Sequence, residues 1–297
     1  MDYSILRTVC DNVLENEPMK LHTTFRIGGP ADVFAMPKTT AQLCDLFGLC
    51  RENGFTYDVI GNGSNLLVSD QGVRGVVIST ECINSITVTD NTITADCGAM
   101  LSALAKTAAK HSLCGLEFAG GIPGTVGGAV FMNAGAYGGE MKDVITHVSC
   151  INQNGNIQTL PASQCDFAYR HSIFSQQDMV IIGAQMTLTP DDPAQITERM
   201  RELIKKRNDK QPLNFPSGGS TFKRPPGHFA AALIEECGLK GFTLGGAQVS
   251  EKHSGFVINK DHATAQDILD IIAHIKTVVF EKTGIQLQEE IKYLGQF

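Results

Sequence analysis

Residues 118–139 read FAGGIPGTVGGAVFMNAGAYGG, with eight glycines and no charged side chain. Length and neutrality would suit a membrane span, but Gly at this density, with Pro123 inside, predicts a poor helix. Each Gly or Pro forfeits helix stability. The expected role is backbone brought close to a large, electron-rich group, with bare amides facing the phosphates of a cofactor.

At 297 residues the chain can bury a substantial core, in two or three domains. A net charge of −7 argues against nucleic-acid binding, which needs clustered Lys and Arg. The nine cysteines are scattered, without a C-x-x-C, an H-E-x-x-H or a Cys/His ligand rhythm. Reduced thiols are therefore expected, with no metal site and no disulfide framework. The N-terminal MDYSILRTVCDNVLENEPMK carries acidic residues and no long apolar stretch, so a signal peptide is not expected. These features predict a cytoplasmic protein without membrane insertion.

Short strands are predicted at 32–36, 57–60 and 75–79, and a helical stripe at Leu101, Leu104, Ala105 and Ala108 ends near His111. Hairpins are expected to turn at Asp90-Asn91 and around Asn154-Gly155. Asp191-Asp192-Pro193 opens a helix with Ile196, Met200, Leu203 and Ile204 on one face. Another begins at Thr264, with Asp267 as capping-box partner, Ile268, Ile271, Ile272, Ile275 and Val279 as its buried stripe, and Gly284 as its stop. Strands, hairpins and helices mixed in this way indicate an α+β class. The expected divisions fall near residues 82 and 190.

Gly61-Asn62-Gly63-Ser64-Asn65 follows a strand and suits a pyrophosphate, although a bare turn fits the same residues. It is not the dinucleotide fingerprint, because Leu66 stands at the third glycine position, and no Gly-Lys-Ser/Thr follows Gly124 or Gly128. Arg170, within FAYRHS, is either an edge-strand ion-pair partner or a planar cation that grips a carboxylate. Ser220 and Lys223 spell S-x-x-K and residues 282–284 spell K-T-G, the marks of a serine acyl-enzyme. Pro225 and Pro226 oppose the helix that serine would open, and K-T-G falls at a helix end. His253 and the Glu289-Glu290 pair have plain structural readings, and motif chemistry alone does not choose between the two glutamates.

Seven segments in order, TTFRIGGPAD, GNGSNLLVSD, AGGIPGTVGGAVFMNAGAYGGE, FAYRHSIF, GGSTFKRP, GGAQVSEKHSGFVIN and QEEIKYLG, resemble the UDP-N-acetylenolpyruvoylglucosamine reductase family. They span residues 23–295, nearly the whole chain. The resemblance implies non-covalent FAD in a two-part fold of the vanillyl-alcohol-oxidase (PCMH) type, followed by an α+β substrate domain. The expected segments are 1–82 and 83–190 for FAD and 191–297 for substrate. NADPH is the implied reductant and a UDP-sugar enolpyruvyl ether the small-molecule substrate, reduced to UDP-N-acetylmuramate for peptidoglycan synthesis. No oligomeric state follows from the sequence.

Carried over by residue, the resemblance places the catalytic arginine at Arg170, the proton-donating serine at Ser220 and the acid at Glu290, five residues before Gly295. It assigns cofactor contacts to Gly61, Asn62, Gly63, Ser64 and Asn65. It adds Gly121, Ile122, Pro123, Gly124, Thr125, Gly127, Gly128, Ala129, Asn133 and Gly135 from the longer run. Substrate contacts fall on Tyr169, Lys210, Arg224 and Gln248. One branch of the family inserts a tyrosine-bearing loop after the Tyr-Arg segment. Here no tyrosine stands between Phe174 and Pro190, so the chain resembles the branch without that loop, with Arg224 as the candidate contact for the UDP moiety. Oxidases of the same cofactor fold, many of which hold flavin through a histidine, and a non-catalytic flavin or nucleotide-sugar module are the competing readings. Neither 61–70 nor 118–139 contains histidine.

Overall fold

A computed structural model describes residues 2–297. The chain divides into two compact units, the first made of 1–14, 33–62 and 76–207 and the second of 15–32, 63–75 and 208–297. Segment 83–190 lies wholly in the first unit, whereas 1–82 and 191–297 contribute to both.

The first unit carries four helices, α1 (Thr40–Glu52), α2 (Leu101–Lys110), α3 (Val126–Met132) and α4 (Pro193–Lys210), the last extending three residues past the unit's end. Its main sheet has five strands in the order Ile157–Pro161, Ile145–Ile151, Val180–Thr187, Thr92–Asp96, Ile86–Thr89, all antiparallel. Both predicted hairpins are there. Thr89 pairs with Thr92 across a tight turn in which Asp90 takes φ +52°, and Ile151 pairs with Ile157 around Asn154-Gly155. Tyr57–Ile60 runs parallel to Val73–Ser79, with Tyr57 opposite Val76. Helix α2 buries the predicted Leu101, Leu104, Ala105 and Ala108 and is capped by His111.

Two expectations need correction. The glycine run is not all loop, because α3 passes through it. The Thr125 side chain accepts from Gly128 N–H at the helix start, and Val126, Ala129 and Val130 are buried. Packing of that face outweighs the poor propensity of Gly127 and Gly128. Gly127 is also needed for the approach, since a Cβ there would lie 3.0 Å from Cys97 Cβ. In α4 the buried face holds Ile196 and Met200, but Ile204 is exposed, one position off the stripe.

The second unit has α5 (Ala230–Glu236), α6 (Ala265–Thr283) and a three-stranded antiparallel sheet of Thr243–Leu244, Ala247–Val249 and Val257–Asn259. Helix α6 is as the sequence predicts. Thr264 and Asp267 form the capping box, Gly284 ends the helix at φ +71°, and the five aliphatic residues of the stripe are buried. These aliphatics are the centre of a core shared with Phe25, Phe222, Val249 and Leu287. A parallel pair joins Leu66–Val68 to Lys292–Leu294 in register Lys292–Leu66. Glu290 lies just before this last strand and not within it.

Candidate functional site

In the first unit the two glycine-rich segments meet edge to edge. Asn62 Nδ2 donates to Pro123 O at 2.6 Å, and a Cβ on Gly61 would sit 2.2 Å from Thr125 Oγ1. Only a glycine allows this approach without moving Thr125. The amides of Gly61, Asn62, Gly124 and Thr125 donate to no protein acceptor among the described residues. An uncharged double rim of unpaired N–H groups is a site for oxyanions, so these loops fit the phosphates of a flavin dinucleotide.

Arg207 reinforces that fit, although no sequence motif marks it. A Cβ on Gly121 would lie 3.1 Å from Arg207 Cδ, so the arginine stem runs along the glycine backbone. Its guanidinium pairs with no carboxylate among the described residues, and burial pushes its pKa down. Arg207 is hidden in the charged string 201–210, yet it continues the series Ile196, Met200, Leu203 at helical spacing. That periodicity is the signal the sequence offers for it.

Asn133 is fully buried at the end of α3, in the left-handed conformation (φ +42°). Its side chain donates to Glu140 Oε2 at 2.6 Å and Ala168 O at 3.0 Å, and accepts from Lys142 N–H at 2.9 Å. It thereby fastens the turn that carries Arg170. Ala168 and His171 exchange main-chain hydrogen bonds of 3.1 and 3.2 Å, leaving Tyr169 and Arg170 at the tip. Arg170 is held at φ +53°, a conformation unfavourable for a side-chain-bearing residue. Its Nη2 donates to Gly135 O at 3.2 Å, and its guanidinium lies 5.0 Å over the Tyr169 ring. The far end of the glycine run therefore orients the arginine.

In the second unit, Ser220 and Glu290 stand on paired segments. Phe222 bridges Glu289, Glu290 N–H donates to Thr221 O at 2.8 Å, and Lys223 N–H donates to Gln288 O at 2.8 Å. Thr221 is fully buried; its N–H donates to Gly255 O and its Oγ1 accepts from Val257 N–H at 3.0 Å. Ser220 itself is exposed, at the end of a turn in which Gly219 has φ +79°. No helix begins at Ser220, which removes the acyl-enzyme arrangement. Glu289 is engaged by Lys276 at 2.7 Å.

Arg224 packs its guanidinium 4.6 Å over the ring of the exposed Phe229. Lys210 ends α4, beside the turn in which Lys252 Nζ donates to Asn208 O at 2.6 Å. Gln248 is buried, its amide donating to Thr243 Oγ1 at 3.0 Å. His253 accepts from Gly255 N–H at 3.2 Å and packs edge-on against Phe256, and burial lowers its pKa, so it is a structural neutral histidine.

Two glycine loops with bare amides, set in this α+β frame, define a flavoprotein of the PCMH type. Residues 31–161 match the FAD binding domain model, and residues 211–294 match the C-terminal domain of UDP-N-acetylenolpyruvoylglucosamine reductase. The crystal structure of that reductase from Thermus caldophilus superposes with a TM-score of 0.81 at 32% identity, covering 95% of this chain and 98% of that one. An alkyldihydroxyacetonephosphate synthase shares the fold alone, with a TM-score of 0.50 at 17% identity over 64% of this chain and 44% of its own. The UDP-N-acetylenolpyruvoylglucosamine reductase of Caldanaerobacter subterraneus subsp. tengcongensis is 49% identical over 281 residues, 95% of this chain and 93% of the relative. The chain belongs to the UDP-N-acetylenolpyruvoylglucosamine reductase family.

Proposed function

We propose that this chain reduces UDP-N-acetylglucosamine enolpyruvate to UDP-N-acetylmuramate, with FAD as carrier and NADPH as reductant, in the cytoplasm. Family membership supplies the reaction. The observation that carries the residue assignment is the pairing of the Ser220 segment with the Glu290 segment. No helix among the described residues is long and apolar enough to cross a membrane, in keeping with a reaction on dissolved metabolites.

Segments 1–82 and 83–190 serve flavin, joined by Arg207 from α4, and the remainder of 191–297 serves substrate in this reading. The amides of Gly61, Asn62, Gly124 and Thr125 hold the pyrophosphate, with Arg207 as the compensating cation. Bound there, FAD supplies the two-electron carrier between NADPH and the enolpyruvyl double bond.

Reduction places hydride on C3 of the enolpyruvyl ether, and the negative charge spreads from C2 into the carboxylate. Stabilising that extra charge is the main demand on the protein. Arg170 grips the carboxylate, and its contact strengthens as charge develops there. Glu290 serves as a second acid for the charge that develops. Ser220 then delivers a proton to C2, and its fixed position sets the stereochemistry. Tyr169 backs the Arg170 guanidinium, Lys210 and Arg224 take the diphosphate, and Gln248 acts by holding its hairpin through Thr243.

The test is spectroscopic. The purified protein should be yellow, bleach with NADPH and recover its colour anaerobically on addition of the enolpyruvyl sugar nucleotide. A colourless protein that does not take up FAD would sink the proposal.

A further inference from the structure

Asn65 closes the 61–65 loop, yet its side chain is turned to the C-terminal segment of the same unit. Its Nδ2 donates to the main-chain carbonyl of Glu290 at 3.1 Å, and its own carbonyl accepts the Lys292 N–H at 2.8 Å. On the other side, Glu290 N–H donates to Thr221 O at 2.8 Å. Both peptide planes flanking Glu290 are therefore fixed, one by the residue after Ser220 and the other by Asn65. Those planes set φ and ψ of Glu290 and hence the direction in which its side chain leaves the backbone. The strand that follows, Lys292–Leu294, has only three residues, so it restrains Glu290 little by itself.

We propose that Asn65 is a positioning residue for Glu290. The inference rests on the catalytic role given to Glu290 above. The glycine loop then has two roles. Its first residues offer amides to the flavin phosphates, and its last residue orients the acid that acts on substrate. Asparagine suits the position because one side chain supplies the donor while the main chain of the same residue supplies the acceptor. Asp would keep the size and lose the donor, and Ala would lose both side-chain atoms.

The experiment uses the flavin-loaded enzyme and its Asn65→Ala, Asn65→Asp and Glu290→Gln variants, plus the Asn65→Ala/Glu290→Gln double variant. In the Asn65 variants, reoxidation by the enolpyruvyl substrate should slow about 10- to 100-fold, the scale of a misplaced catalytic group. In enzyme loaded to equal flavin content, the rate of flavin reduction by NADPH should fall far less than the rate of reoxidation. The double variant should be no slower than Glu290→Gln alone, because both changes remove one function. Amide hydrogen exchange at Glu290 and Lys292, measured without substrate, should quicken in the Asn65 variants.

The proposal is overturned by equal slowing of both half-reactions, by losses that multiply in the double variant, or by unchanged exchange. Loss of flavin from both Asn65 variants overturns it too, in favour of a direct cofactor role. Wild-type reoxidation in Asn65→Ala beside a slow Glu290→Gln removes the positioning role alone. A Glu290→Gln enzyme that reoxidises at the wild-type rate removes the role of Glu290 and this inference with it.

Discussion

Ser220 and Gly61 represent two kinds of residue in this protein, one proposed to supply chemistry and the other supplying space. Ser220→Ala should leave reduction of flavin by NADPH intact and slow reoxidation by the enolpyruvyl substrate by about 10² or more, the usual loss for a removed acid. Stopped-flow absorbance separates the two half-reactions, and equal slowing of both would contradict the proton-donor role. At Gly61 the constraint is steric. A methyl group there would meet Thr125 Oγ1 at 2.2 Å, so Gly61→Ala must push apart the rims that Asn62 ties together. Overpacking of this kind costs about 1–3 kcal/mol. Flavin affinity, measured by fluorescence titration, should fall by about tenfold or more, with the second unit's α6 core undisturbed. The glycine pattern announced this closeness in the sequence, but not which atoms would meet.

Among the elements, α6 shows how far local signals can reach. Its capping box, its stripe at helical spacing and its terminal glycine all agree, and every one of those residues plays its expected part. Ile275 is wholly buried on that stripe, so Ile275→Ala should destabilise the protein by about 2–5 kcal/mol in urea unfolding, through lost transfer energy and the cavity left behind. A loss below about 1 kcal/mol would mean that the α6 face is not a packed core. Helix α3 is the opposite case. Its own glycines argue against a helix, and it exists because Thr125 caps it and three apolar residues are buried beneath it. Such stabilisation comes from elsewhere in the chain and leaves no periodic mark on seven residues. In α4 the stripe was legible, but charge hid its continuation to Arg207.

For the whole molecule, the nine cysteines are all free thiols, and six of them are buried. Burial pushes Cys97 up to about 12, and Cys50 and Cys165 up to about 11, from an ordinary value of 9.0. Because these folded-state values are raised, the folded chain holds protons that the unfolded chain releases first. Their contribution to stability is fully present below about pH 9 and is lost as pH rises through 11 to 12. The melting temperature should therefore fall steeply above about pH 9, and a Cys97→Ala variant should show a shallower alkaline fall than its own stability at pH 7 implies. A melting temperature flat to pH 11 would show that the thiols are not sealed from solvent.

The sequence by itself determined the family, the flavin, the hairpins and the cores of α2 and α6, because those rest on local spacing and on motifs kept in order along the chain. It also named Arg170, Ser220 and Glu290, through resemblance. Only the tertiary structure decided how they are held: Asn133 fastening the Arg170 turn, Thr221 and Asn65 gripping the peptides around Glu290, Lys276 engaging Glu289, and Arg207 lying along Gly121. These contacts join residues far apart in sequence through single hydrogen bonds or close approaches. A one-dimensional pattern carries no term for such pairs, since each partner alone looks like an ordinary polar residue in a loop.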